Sequence, residues 1–181
     1  MRLFTALDLP DALRERIASH RAPKRLDARW TSPEEYHVTL RFIGDVDADT
    51  AARYEDALAT VTAPVAECRP YGLDVLPSRR SPRVLVVGLE RTDALRSVYE
   101  AVSDALGTEG LAPEDRAYRP HVTLARLDDA DPRVVHRFLD AQDTGAWPPV
   151  RVRQFHLYES TRTPDGAVYE RRATYALGTP D

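Results

Sequence analysis

The tetrapeptide His-Val-Thr-Leu occurs twice in this chain, as His37-Val38-Thr39-Leu40 and as His121-Val122-Thr123-Leu124. The two copies lie close to half a chain apart in 181 residues. Imidazole is the side chain whose ordinary pKa lets it give or take a proton near neutrality. A pair of them suits in-line displacement at phosphorus. One neutral ring takes a proton from an attacking water, and one protonated ring donates to the departing alkoxide on the opposite side. Each such transfer is typically worth ~10²–10⁴-fold. Hydroxyls of Thr39 and Thr123, with the imidazolium, can hydrogen-bond the non-bridging oxygens as charge builds. A metal is the rival use of two histidines. A zinc site wants three or four ligands, and neither copy brings a carboxylate on the histidine face. The pattern therefore predicts acid–base work without metal or cofactor.

Strand geometry gives the repeat its meaning, because side chains alternate faces with period two. His37 and Thr39 then share one face, as do His121 and Thr123, while Val38, Leu40, Val122 and Leu124 point into a core. Two such strands facing across a cleft would line its floor with two His and two Thr. Arg41 has the parity of His37, which leaves two equal readings, a residue of the cleft or one of many solvated arginines. Arg126 has the opposite parity to His121. A regular strand turns it away, and only a bulge or the strand end brings it to substrate. Nothing in the residues alone orders the two histidines as acid and base. His20, His136 and His156 have no partner motif. Phe4, Tyr118, Tyr158 and Tyr169 have rings that could stack on a base, but each is read as a core or hairpin residue.

The elements that must hold these residues alternate. Leu3 to Leu7 reads as a first strand ended by Asp8-Leu9-Pro10, and Pro10-Asp11 opens a helix to about Ser19, with Leu13 and Ile17 on one face. An extended piece at Arg29–Thr31 precedes a turn at Ser32–Glu35, then a strand from Tyr36 to Ile43. Asp49 to Val61 reads as a helix with Ala52, Leu58 and Val61 inward. Val65 to Leu76 is extended but disturbed by Pro70 and Gly72. Arg83 to Leu89 is the strongest strand pattern. Leu95, Val98, Val102 and Leu106 mark a helix over 92–106. A strand over 118–127 and a helix over 132–139 follow. A strand pair over 149–159 and 167–177 is joined by a turn at 160–166. The closing hairpin points to antiparallel pairing and an α+β class.

Composition sets the outer limits. Charged residues make up 30% of the chain and hydrophobic ones 43%, a globular balance, and the net charge of −4 argues against a large non-specific nucleic-acid surface. Nearly all basic residues are Arg; with the richness in Ala this reads as GC-rich coding, which lowers the weight of any one Arg as a phosphate signal. The single cysteine, Cys68, excludes an internal disulfide framework. No apolar run is long enough for a bilayer, and Asp8 comes too early for a secretory signal. The expectation is a cytoplasmic protein with no membrane contact and no obligate protein partner.

Paired His-x-Thr motifs on strands half a chain apart resemble the two-histidine (2H) phosphoesterases. The branch most similar is the RNA 2′,3′-cyclic phosphodiesterases (LigT/ThpR-like), once called 2′-5′ RNA ligases. Arg2–Pro10, Trp30 with Glu35–Gly44, Tyr118–Arg126, and Leu157–Ser160 with Gly166 and Tyr169 carry the likeness. The resemblance implies one domain over 1–181 built of two interleaved lobes with an internal pseudo-twofold. Antiparallel sheets are flanked by helices, and the active site lies in the cleft between lobes. It implies hydrolysis of RNA 2′,3′-cyclic phosphate ends, tRNA fragments among them, to 2′-phosphomonoesters, with 2′-5′ ligation as a side activity. It assigns His37 as proton donor and His121 as proton acceptor, Thr39 and Thr123 to the phosphate, and it raises Arg126 as a substrate contact beside the parity-based candidate Arg41. Two other readings stand beside it: a phosphodiesterase for small cyclic phosphates, such as a cyclic nucleotide or an ADP-ribose cyclic phosphate, and a non-catalytic RNA-binding module.

Overall fold

Ten strands and four helices follow one another in a computed structural model that describes residues 1–128, 130–142, 145–164 and 166–178. The strands are β1 (Arg2–Asp8), β2 (Arg29–Trp30), β3 (His37–Asp45), β4 (Ala66–Cys68), β5 (Pro70–Ser78), β6 (Ser81–Leu89), β7 (His121–Arg126), β8 (Val150–Val152), β9 (Gln154–Thr163) and β10 (Gly166–Ala176). The helices are α1 (Asp11–Ala18), α2 (Ala48–Ala59), α3 (Asp93–Thr108) and α4 (Pro132–Asp140). One sheet runs in the order β10-β9-β1-β3-β7-β6-β5, with β2 on β7, and β4 with β8 forms a second small sheet. All of these pairings are antiparallel. The α+β expectation therefore holds.

The seam of the large sheet lies between β3 and β7, which share the single pair Val38 with Val122. These are equivalent positions of the repeat, so a pseudo-twofold axis passes between them. About it, β1 beside β3 corresponds to β6 beside β7. Because the two strands share only that pair, the ladder of the large sheet is at its shortest at the seam.

Helices start where the sequence provides a cap. Asp47 accepts from the Thr50 N–H, Thr92 from Leu95 and Asp131 from Arg133. Leu95, Val98, Val102 and Leu106 bury the α3 face as their spacing predicts. On α2 the buried set is Ala51, Tyr54 and Leu58. Ala52 faces solvent, one position out of phase with the expected stripe, because Tyr54 counts as apolar when it packs. The closing hairpin is also tighter than the turn residues suggested: 160–163 continue β9, and β10 starts at Gly166, whose φ of +140° only glycine adopts easily. Asp165 of that turn lies outside the described residues. Among the described residues no helix is long and apolar enough to cross a membrane.

Candidate active site

Val38, Leu40, Val122 and Leu124 are all buried, as the alternation requires. His37, Thr39, His121 and Thr123 are half-buried and face the groove. The seam crosses their partnerships. His37 lines one recess with Thr123, and Thr39 and His121 line a second. Each recess thus holds a histidine from one motif and a threonine from the other.

Both rings are held the same way. Nδ1 of His37 lies 2.7 Å from the Glu35 carbonyl, and Nδ1 of His121 lies 2.7 Å from the Arg119 carbonyl. A carbonyl only accepts, so each Nδ1 carries the hydrogen and donates it. The neutral ring then presents a bare Nε2, which takes a proton without breaking its clamp. The Glu35 end is itself fixed by a capping box, in which Glu35 accepts from the Ser32 N–H.

Burial pushes both imidazoles below the ordinary histidine value of 6.5. At His37 the Glu35 carbonyl and the Asp8 carboxylate oppose that, while His121 and Arg14 add to it. At His121 the Arg119 carbonyl opposes it and the Arg119 charge adds to it. The His37 side is also aromatic. Phe4 lies 5.1 Å from its ring and Tyr169 5.5 Å edge-on, with Tyr158 stacked on Phe4 at 5.3 Å.

Both parity readings for arginine change at a β-bulge. The β1–β3 register skips Leu40, pairing Ala6 with Thr39 and Thr5 with Arg41. The β6–β7 register skips Leu124, pairing Val86 with Thr123 and Leu85 with Ala125. The bulge thus recurs at the equivalent residue of each repeat and reverses the faces beyond it. Arg41, read as either a cleft or a solvated residue, is neither and is corrected to the core side. It is 4% exposed, pairs with Glu114 at 2.8 Å and donates to the Ala112 carbonyl. Arg126 is brought round to line the recess with His37, Thr123 and Tyr169. At Arg126's equivalent position on β3, Phe42 is turned outward and 62% exposed.

Sequence reasoning took Asp8 only for a strand end; Phe4 is buried and Tyr169 lies in the closing hairpin, as read, and both rings also pack against His37. Tyr118 is a structural residue: its hydroxyl donates to the Thr39 carbonyl and its ring stacks on Tyr99 at 4.0 Å.

Comparison with known proteins gives one consistent answer. The LigT like phosphoesterase family model matches twice, over residues 7–86 and 87–169, one match per repeat. An Archaeoglobus fulgidus RNA 2′,3′-cyclic phosphodiesterase is 29% identical over 174 residues, covering 94% of this chain and 97% of that protein. An Aeropyrum pernix RNA 2′,3′-cyclic phosphodiesterase is 32% identical, covering 87% and 89%. Among solved structures, E. coli LigT complexed with 3′-AMP superposes with a TM-score of 0.76 at 25% identity, covering 98% of both chains.

Proposed function

Because the chain belongs to the LigT-like phosphoesterase family, we propose that it hydrolyses RNA 2′,3′-cyclic phosphate ends to 2′-phosphomonoesters, by acid–base catalysis between His37 and His121. The observation that carries this reading is the pair of matched clamps, each holding a ring by Nδ1 so that Nε2 is left for the groove. His121 takes a proton from water as the oxygen attacks phosphorus. The bond from phosphorus to O3′ breaks, and His37 protonates O3′. Thr39, Thr123 and Arg126 hold the non-bridging oxygens as the charge on them grows. The order of the two histidines is the one that the family resemblance implies, and the Asp8 charge beside His37 leans the same way. An RNA 5′-hydroxyl in the place of water gives a 2′-5′ linkage through the same two transfers. The two halves act as one unit, since each supplies one histidine.

The chemistry is proposed to need no metal. Among the described residues no three His, Cys, Asp or Glu side chains come together as a ligand set, which supports that reading. Product analysis of an oligonucleotide ending in a 2′,3′-cyclic phosphate, run with a chelator, is the direct test. A 2′-phosphate product is expected. A 3′-phosphate, or loss of turnover in chelator, overturns the scheme. Turnover confined to cyclic mononucleotides overturns the assignment to RNA.

A further inference from the structure

The two clamped rings are near-equivalent by backbone, yet their cross-strand neighbours differ. In the β1–β3 register the residue opposite His37 is Asp8, and in the β6–β7 register the residue opposite His121 is Gly88. Directly opposed residues share a face, with Cβ atoms about 4.5–5.5 Å apart. Asp8 therefore sits beside the His37 ring, while the cross-strand place beside His121 holds only Gly88; Glu114 and Asp115 line the His121 recess from a loop rather than from the paired strand.

The carboxylate is held in place. The Tyr158 hydroxyl donates to its Oδ1 at 2.6 Å, Arg171 donates to its Oδ2, and the buried His156 ring has Nε2 at 3.7 Å from Oδ2. His156 is fixed in turn against Thr174 at 2.9 Å. The mirror place is closed to a carboxylate, because the Tyr71 ring occupies the space where a Cβ on Gly88 would go. Of the other charged groups around His37, His121 on β7 and Arg14 on α1 are unfavourable to a second positive charge, and Arg29 on β2, Glu35 and Arg126 on β7 line the same recess. Phe4 and Tyr169 supply rings without charge. Asp8 is thus the carboxylate directly across the strand pair from His37, and its charge favours the protonated ring.

Resting on the hydrolase reading above, we propose that Asp8 is a positioning residue that makes His37, rather than His121, the proton donor. A fixed negative charge beside one ring of an otherwise matched pair favours the protonated form of that ring alone. Tyr158 and Arg171 hold the carboxylate by their own hydrogen bonds, which leaves the Nε2–H of protonated His37 for O3′.

The test follows both imidazoles by NMR titration in the full chain and compares kcat/KM on a cyclic-ended oligonucleotide across pH. In Asp8→Asn the His37 midpoint falls and the His121 midpoint stays. kcat/KM at pH 7 drops about tenfold or more, part of the ~10²–10⁴ a general acid supplies, and the loss shrinks toward acid pH. Asp8→Glu restores most of it. Arg171→Met, at a half-exposed side chain, removes the cation that offsets Asp8 and raises the His37 midpoint. A His37 midpoint unmoved in Asp8→Asn, equal movement of both rings, or a loss independent of pH overturns the proposal. The midpoints also separate two failures. An inactive wild type whose His37 midpoint still drops in Asp8→Asn removes the hydrolase reading alone. An active wild type whose His37 midpoint does not move removes the role of Asp8.

Discussion

The two histidine strands share a burial pattern through their first six residues, alternating and then doubling the buried position at the bulge. What differs between them lies at three places that the repeat leaves free. Opposite the histidine stand Asp8 and Gly88; just past the bulge, Arg41 and Ala125 face the core; one residue further, Phe42 and Arg126 face the groove. The backbone clamps two imidazoles in the same way, and these differences give them unequal surroundings. One half has Asp8 across the strand pair from its histidine, the Phe4 and Tyr169 rings against it and the arginine from across the seam. The other has Arg119, with its guanidinium on the Pro77 carbonyl at 3.0 Å, and Phe42, Glu114 and Asp115 along its recess. A reaction with distinct attacking and leaving sides needs that inequality, which a perfect duplication would lack.

The equality is tested first, since it carries the largest effect. His37→Ala and His121→Ala should each lower kcat by ~10²–10⁴ with the fold retained by circular dichroism. The double variant should be little worse than either single one, because the two transfers belong to one step. Full activity in either single variant ends the scheme. The pH profile sharpens the same point. Both rings lie below the ordinary 6.5 through burial, so the kcat/KM bell should centre below that value. A bell centred well above it would show that the rings are not desolvated in the free enzyme.

The inequality past the bulge comes next. Arg126→Met should cost about 10²-fold in kcat, the scale for losing one donor to a developing oxyanion. Phe42→Met, at the equivalent place, should leave kcat within about twofold and act, if at all, on KM. Equal effects at the two sites would mean that the recess on the His37 side has no special hold on the phosphate. Smaller again, Thr39→Val and Thr123→Val should each cost roughly tenfold, about one lost hydrogen bond to a charged group.

How far the sequence carried these conclusions is itself set by the bulges. Parity from His37 and His121 placed Thr39, Thr123 and the four apolar anchors on their observed faces, because period two holds while the ladder is regular. It failed for Arg41 and set a condition for Arg126 that the fold then met. A bulge at Leu40 or Leu124 depends on how the partner strand registers, and no pattern within His-Val-Thr-Leu announces it. Asp8 escaped notice for a related reason. An acid after an apolar run signals a strand end, and its role appears only when β1 is laid against β3. The α3 stripe, whose pattern is local, was legible in full.

Arg41 offers the last contrast, between a repeat position that bears a charge and one that does not. Ala125, its equivalent, is buried and inert. Arg41 reaches from the first motif to Ala112 and Glu114, in the segment leading to Arg119, whose carbonyl clamps His121. The core-side arginine of one histidine strand therefore braces the approach to the other histidine. Arg41→Met should destabilise the protein by about 3 kcal/mol, the lower end for opening a buried ion pair, since Glu114 keeps some solvent contact. Chemical denaturation measures that. The functional trace should fall on one side only: the NMR midpoint and line width of His121 change while those of His37 do not. Equal disturbance of both rings would mean that Arg41 supports the sheet as a whole, and that the two halves are less independent than their separate clamps imply.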